Sequence, residues 1–169
     1  MKKLVGFLIF VLLLVSIVLC SCSKLDEQDM SQAPTKTPVS LSFPAIFVAD
    51  NATVTRTISS GTPCESQGKV TVTIRADNTV LMEVLAPDVI DADCKFTGDK
   101  VMDRFFGKFD ARTASIDFST CNTDMIALGY IQNVNPSAIQ GVIGCHYIVD
   151  GKSYPVVEVN FVASAQAKK

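Results

Sequence analysis

Residues 69–85 read KVTVTIRADNTVLMEVL, and this stretch decides the fold class. From residue 70 to residue 75, apolar β-branched side chains alternate with threonine and arginine, which is the period of a half-buried strand. Residues 76–79 have the composition of a tight turn, and residues 80–85 return as a second strand. The stretch therefore predicts an antiparallel β-hairpin.

A second hairpin is predicted around a turn at residues 111–113. A register in which Phe105 faces Phe118 and Gly107 faces Ile116 places the large apolar side chains on one face of the pair. The glycine then leaves room for its neighbour on the other strand.

The strongest hairpin signal is Asp150-Gly151, which lies between apolar stretches at residues 139–149 and 154–163. Residues 39–43 and 125–134 add further strand-like segments, and no segment of helical period longer than ten residues occurs after residue 30. The sequence predicts an all-β domain, an antiparallel meander of about eight to ten strands. A closed or partly open barrel is preferred, and a β-sandwich is the alternative.

The first part of the chain has the composition of a secretory signal. Lys2 and Lys3 form a short basic start, and residues 4–19 are apolar except for Gly6 and Ser16. This stretch is shorter than the roughly twenty residues of a membrane span and fits the apolar region of a signal peptide. Residues 1–21 are therefore expected to be removed on export.

A lipid-attachment motif follows this stretch. Leu19-Cys20-Ser21-Cys22 resembles the bacterial lipobox, with an aliphatic residue at −3, a small residue at −1 and then the modified cysteine. Cys20 is a poorer acceptor, because Leu19 would stand at its −1 position. The resemblance implies a lipoprotein with acyl chains such as palmitate on Cys22, and several chains hold a protein stably on a membrane. A plain signal peptide and an uncleaved anchor are the alternatives.

The resemblance also implies a location and a domain organisation. Ser23 after the modified cysteine implies delivery to the outer membrane, facing the periplasm or the cell surface, in a host that has one. Residues 22–38 are polar, with two prolines, and are expected to be a lipidated cysteine followed by a flexible tether. Residues 39–169 form the single β domain.

The charge of the mature chain excludes one class of partner. The whole chain has 15 basic and 17 acidic residues, and removal of residues 1–21 takes away two lysines and no acid, which leaves 13 − 17 = −4. Nucleic acid is excluded as a partner, because its phosphates need a basic surface.

Four cysteines remain for the β domain once Cys22 is lipidated. An even number in an exported chain indicates two disulfides, with three possible connectivities. Cys64 and Cys94 should lie at the open end of the hairpin at residues 69–85, which favours pairing them and leaves Cys121 with Cys145. The second pair has a difficulty in a strict meander, because cysteines two strands apart are separated by roughly 9 to 10 Å.

No group of residues in the sequence forms a catalytic motif. Ser66 and Lys69 match Ser-x-x-Lys, the nucleophile motif of penicillin-recognising enzymes, but that motif opens a helix and here it opens a strand. His146 is the only histidine and is expected to point outward, away from a predicted core face made of Ile143, Cys145, Tyr147 and Val149.

A set of loop acids is the only other candidate for chemistry. These acids lack the spacing of a calcium-binding loop and are expected to be solvated, so no metal and no cofactor are predicted: Asp88, Asp91, Asp93, Asp99 and Asp103. An envelope hydrolase would require two of these carboxylates to converge in one cleft.

These observations favour a non-enzymatic binding domain on a lipid anchor. Its partner would be an envelope protein or a small apolar ligand. A cavity inside the barrel would favour the small ligand, whereas a filled interior with an exposed apolar patch would favour the protein. An envelope hydrolase and a purely structural or assembly lipoprotein remain the alternatives.

Overall fold

Nine antiparallel strands are present in the described part of this computed structural model, which comprises residues 38–59, 61–122 and 125–167. Their bounds are β1 Ala45–Thr57, β2 Pro63–Ile74, β3 Thr79–Val89, β4 Phe96–Asp110, β5 Ser115–Cys121, β6 Met125–Leu128, β7 Tyr130–Ile131, β8 Ala138–Val149 and β9 Lys152–Ala165. Two segments predicted from the sequence, the signal peptide and most of the tether, lie outside the described residues.

The strands close into a barrel. The hydrogen-bonded order is β4-β3-β2-β1-β9-β8-β6-β5, and a further pairing of β4 with β5 closes the sheet. Eight strands thus form the wall in meander order, and the two-residue β7 pairs with β5 alongside β6. The predicted antiparallel barrel is confirmed, and the alternative sandwich is not formed.

The hairpin at residues 69–85 forms as predicted, with side chains that alternate between the inside and the outside of the barrel. Its strands pair from Lys69 with Leu85 to Ile74 with Val80. In the turn, the Asp77 carboxylate accepts hydrogen bonds from the Thr79 hydroxyl and backbone N–H, at 2.7 and 3.0 Å. These bonds lower the pKa of Asp77. The inward residues of β2 are fully buried: Val70, Val72 and Ile74.

The hairpin between β8 and β9 turns at Asp150-Gly151 as predicted. Both residues have a left-handed backbone, with φ of 51° and 72°, and Val149 pairs with Lys152 across the turn. Positive φ at both central residues is what a two-residue hairpin turn requires, which explains why this dipeptide is so strong a signal.

The predicted register of β4 and β5 is wrong by two residues. Gly107 faces Phe118, and Phe109 faces Ile116. The turn is longer than expected because residue 114 also belongs to it, with φ of 53°. A bulge between Phe106 and Gly107 increases the shift to three before it, so Phe105 faces Cys121 instead of Phe118. The predicted core face is nevertheless kept, because the side chains of residues 105, 109, 116 and 118 are all buried. A Cβ at Gly107 would overlap the Asp117 carbonyl oxygen, so this position requires glycine.

Large apolar side chains fill the interior. Phe105 and Phe118 meet edge to face, with ring centroids 6.4 Å apart. Full burial of one such side chain contributes about 1.5–3 kcal/mol, so a filled interior is the main source of stability. The largest fully buried side chains include Phe47, Phe105, Ile74, Met82 and Ile116.

The N-terminal segment covers one end of the barrel, which we call the proximal end. The backbone N–H of Val39 donates to the carbonyl of Ala111 at 3.0 Å, and Val39, Leu41 and Phe43 pack against the core. The alternation in residues 39–43 therefore reflects burial, but this segment is not a strand. Pro44 lacks the N–H that would continue β1 towards the N-terminus.

The opposite, distal end carries the turns after β1, β3, β5 and β8. The wall strands run between the two ends, and Pro38, the first described residue, precedes the segment that packs on the proximal end. Within the described residues there is no helix of the length and apolarity needed to cross a membrane.

Candidate functional site at the distal end of the barrel

Both predicted disulfides form at the distal end. Cys64 and Cys94 have Cα atoms 5.3 Å apart, and Cys121 and Cys145 have Cα atoms 5.8 Å apart. The first pair links the start of β2 to the loop before β4, as expected from the geometry of the first hairpin. Disulfides of this kind persist in an oxidising compartment.

The second disulfide bridges two strands that are not neighbours. Cys121 pairs with Met125 of β6, and Cys145 pairs with Ala127 of the same strand, so β6 lies between the two cysteines. A flat sheet would hold their Cα atoms roughly 9 to 10 Å apart. The observed 5.8 Å shows that the wall turns sharply at β6. The small, buried side chain of Ala127 leaves room for the bridge.

A buried ion pair crosses the interior near these disulfides. Arg56 of β1 donates from Nη2 to Asp103 Oδ2 of β4 at 2.6 Å, and both residues are less than 10% exposed. Arg56 Nε donates to the carbonyl of Pro87 at 3.1 Å, and Asn122 Nδ2 donates to the second oxygen of Asp103 at 3.2 Å. All partners of this pair are therefore side chains and backbone of the barrel itself.

The predicted acidic cluster does not converge in a cleft. Asp103 is buried on Arg56, whereas Asp91 accepts hydrogen bonds from the backbone of Asp93 and Lys95 within its own loop. Asp88 is half-exposed, with its Oδ1 3.9 Å from Arg56 Nε. The described residues contain no group of three or more side chains placed to hold a metal ion. The carboxylates thus act in ion pairing and turn formation.

Ser66 and Lys69 do not form a nucleophile with its base. The Ser66 hydroxyl donates to the carbonyl of Val54 at 3.4 Å, and the Lys69 ammonium pairs with Asp50 at 2.9 Å. The motif lies within β2 rather than at the start of a helix, so its resemblance to the penicillin-recognising enzymes ends with the spacing.

His146 points outward, as expected. Its ring lies over Gly144, where an added Cβ would come within 2.6 Å of Nε2, and its Nδ1 lies 3.1 Å from the Ser153 hydroxyl. The predicted core face of β8 is correct for Ile143 and Cys145, which are fully buried.

The same prediction is wrong for Tyr147 and Val149, which are 44% and 47% exposed. They lie beyond the ends of the neighbouring strands. The last pairing of β6 with β8 is at His146, and the last pairing of β1 with β9 is at Val157. Residues 147–156 therefore form a two-stranded projection past the barrel wall, which we call the hairpin tip.

The hairpin tip exposes a group of large apolar side chains. Tyr147 and Tyr154 face each other across the two strands, with stacked rings 5.2 Å apart. The exposed fraction of its four large side chains is 40–47%: Tyr147, Ile148, Val149 and Tyr154. A projecting apolar group of this kind is typical of an interaction surface.

Exposed aliphatic side chains continue from the tip onto the wall. Ile126 and Leu128 of β6 are both exposed, and Ile126 pairs with His146 at the base of the tip. This exposed apolar surface of the tip and β6 was not predicted from the sequence. The consecutive apolar residues 147–149 next to a turn were a signal for it, because a half-buried strand would place a polar residue among them.

No family model matches this chain, and neither the curated proteins nor the solved structures contain a significant match to it.

Proposed function

We propose that this chain is a lipid-anchored lipoprotein of the cell envelope whose barrel is a non-enzymatic binding domain for a protein partner. The observation that supports binding of a protein partner is the hairpin tip, which projects past the barrel wall with its apolar side chains exposed. The lipobox at residues 19–22 and the two disulfides support the location.

The filled interior argues against the small apolar ligand. A carrier of such a ligand needs an internal cavity of about 300–1,000 Å³. In the described barrel the inward positions hold large side chains such as Phe47, Met82 and Phe105, all essentially unexposed. Apolar surface is instead presented on the outside, which suits a protein partner.

The strand edges of the tip indicate what the partner presents. Residues 147–149 pair with residues 152–154 and with no other described strand, so each of these two short segments has one unpaired edge. Pro155 lacks a backbone donor, which makes the β9 edge unsuitable for pairing. The β8 edge remains, and a partner that adds an extended strand there would also cover Ile148 and Tyr147.

The position of the tip is consistent with a tethered binding domain. The segment that follows Pro38 packs on the proximal end, and the tip is at the distal end.

The anchor is tested with two cysteine variants of the full chain in its host. Cys22→Ala should abolish incorporation of labelled palmitate and release the protein from the membrane fraction. Cys20→Ala is the matched control and should leave acylation and membrane association unchanged. Acylated, membrane-bound Cys22→Ala protein would contradict the assignment.

The binding surface is tested by photo-crosslinking in the envelope of the same host. A photo-reactive amino acid at position 148 should give one discrete crosslinked protein. The same group at Val101, which is exposed on β4 away from the tip, should not. Tyr147→Ser with Tyr154→Ser should reduce the crosslink at least fivefold, whereas Tyr130→Ser should not.

Two crosslinking results would contradict the proposal. Identical products from positions 148 and 101 would mean that the tip has no selective partner. A product of twice the mass of the chain would favour the assembly alternative, because the partner would be a second copy.

A further inference from the structure

The barrel wall is interrupted between β7 and β8. Pairing of β8 with β6 ends at Leu128 and Gly144, and β7 pairs with β5 instead of continuing along β8. The chain bends at Gly129, where an added Cβ would lie 2.9 Å from the Cα of Ile143. Beyond this close approach β7 and β8 have no backbone pairing, although the Ile131 side chain still lies against Gly141.

A groove of about 540 Å³ lies on the outer surface, over the stretch where β7 and β8 are unpaired. It continues into a smaller recess of about 260 Å³ that shares Gln132, Gln140 and Val162. Its size is within the range of small-ligand sites, about 300–1,000 Å³. It lies on the outside of the barrel, separate from the hairpin tip.

The lining of the groove is neutral and of two kinds. Amide side chains of Gln132, Gln140 and Asn160 supply both hydrogen-bond donors and acceptors. Val142 and Val162 supply apolar surface, and Val162 is 65% exposed, near the end of β9 where the pairing of β9 with β1 is interrupted. None of the described lining residues carries a charge.

This chemistry selects a class of ligand. Phosphates and carboxylates require basic partners, and cations require acidic ones, so a neutral ligand is favoured. Paired donors and acceptors match hydroxyl and amide groups, and the valines match a methyl group. Tyr130 adds a half-exposed aromatic ring at one side, which can cover an apolar face of a sugar ring.

We propose that this groove binds a neutral, N-acetylated saccharide. The acetamido group accounts for both kinds of lining, because its N–H and C=O pair with the amides while its methyl group contacts Val142 and Val162. The inference goes beyond the proposed function, since it uses a different surface and does not depend on the lipid anchor or on the partner of the tip.

The test is calorimetric titration of the full chain, purified from its host in detergent. The probe is the β-1,4-linked tetramer of N-acetylglucosamine, and the glucose tetramer of the same linkage is the comparison. We expect saturable binding of the acetylated tetramer, roughly tenfold tighter than that of the glucose tetramer, because the latter lacks the acetamido hydrogen bonds.

A matched pair of variants locates the site. Val162→Glu places a charge in the neutral groove and should weaken binding of the acetylated tetramer at least tenfold. Val101→Glu makes the same change on the outer surface of β4 and should change the affinity less than twofold. The proposal is overturned if the acetylated tetramer does not bind, if both tetramers bind equally, or if the two variants have equal effects.

Discussion

Replacement of Asp103 by alanine is expected to lower the free energy of unfolding by about 3–5 kcal/mol, because it removes the carboxylate that accepts a hydrogen bond from the buried Arg56 guanidinium and leaves only the half-exposed Asp88, 3.9 Å away. Both side chains are less than 10% exposed, so water cannot take the place of the carboxylate without opening the barrel. The measurement is urea unfolding followed by circular dichroism, with the midpoint and slope compared with those of the unmodified chain.

Two further variants separate this effect from the loss of any charged residue. Glu83→Ala removes the partner of Arg104 in an exposed ion pair of 3.2 Å, and should cost less than about 1 kcal/mol. Arg56→Met combined with Asp103→Leu should recover most of the lost stability, because no charge remains buried. A loss for Asp103→Ala no larger than that for Glu83→Ala would contradict the ion pair.

The barrel could be predicted because its signals are local. Alternation over residues 69–85 fixes which side chains are buried, and Asp150-Gly151 fixes a turn whatever lies around it. Once hairpins follow one another in order, the position of Cys64 relative to Cys94 also follows. These predictions need only the geometry of one strand and its neighbour.

The β4–β5 register failed because its turn has no such signal. Ala114 adopts φ of 53°, which alanine seldom does, and nothing in the sequence marks it as a turn residue. The predicted burial of Tyr147 was wrong for another reason. Burial of this residue depends on where the neighbouring strands β6 and β1 end. The residue pattern of β8 or β9 alone does not show where that is.

The buried ion pair at the distal end had one signal in the sequence. Arg56 occupies an inward position, in line with the buried Val54, where an apolar residue belongs. A charged residue at such a position requires a buried partner. The sequence could not identify Asp103 as that partner, because the two residues meet only across the closed interior and are 47 positions apart.

Removal of the Cys121–Cys145 disulfide, by alanine at both positions, is expected to lower the free energy of unfolding by about 4–5 kcal/mol. The cysteines are 24 positions apart, and the entropy of closing such a loop accounts for about 3.5 kcal/mol. The remainder comes from β6. This strand has four residues and pairs with β5 at only two positions, so the disulfide holds the wall together where its backbone pairing is weakest.

The Cys64–Cys94 disulfide supplies the comparison. Its separation of 30 positions gives a slightly larger loop, so chain entropy alone would make its removal the more costly of the two. It joins a strand to a loop and closes no gap in the wall, so we expect only the loss from chain entropy, about 3.7 kcal/mol, from alanine at these positions. Guanidinium unfolding gives the order of the two losses. Hydrogen exchange should show faster opening at Ile126–Leu128 only when the 121–145 bridge is absent. If the 64–94 variant is the less stable one, or if exchange in β6 does not change, the disulfide acts through chain entropy and does not hold the wall closed.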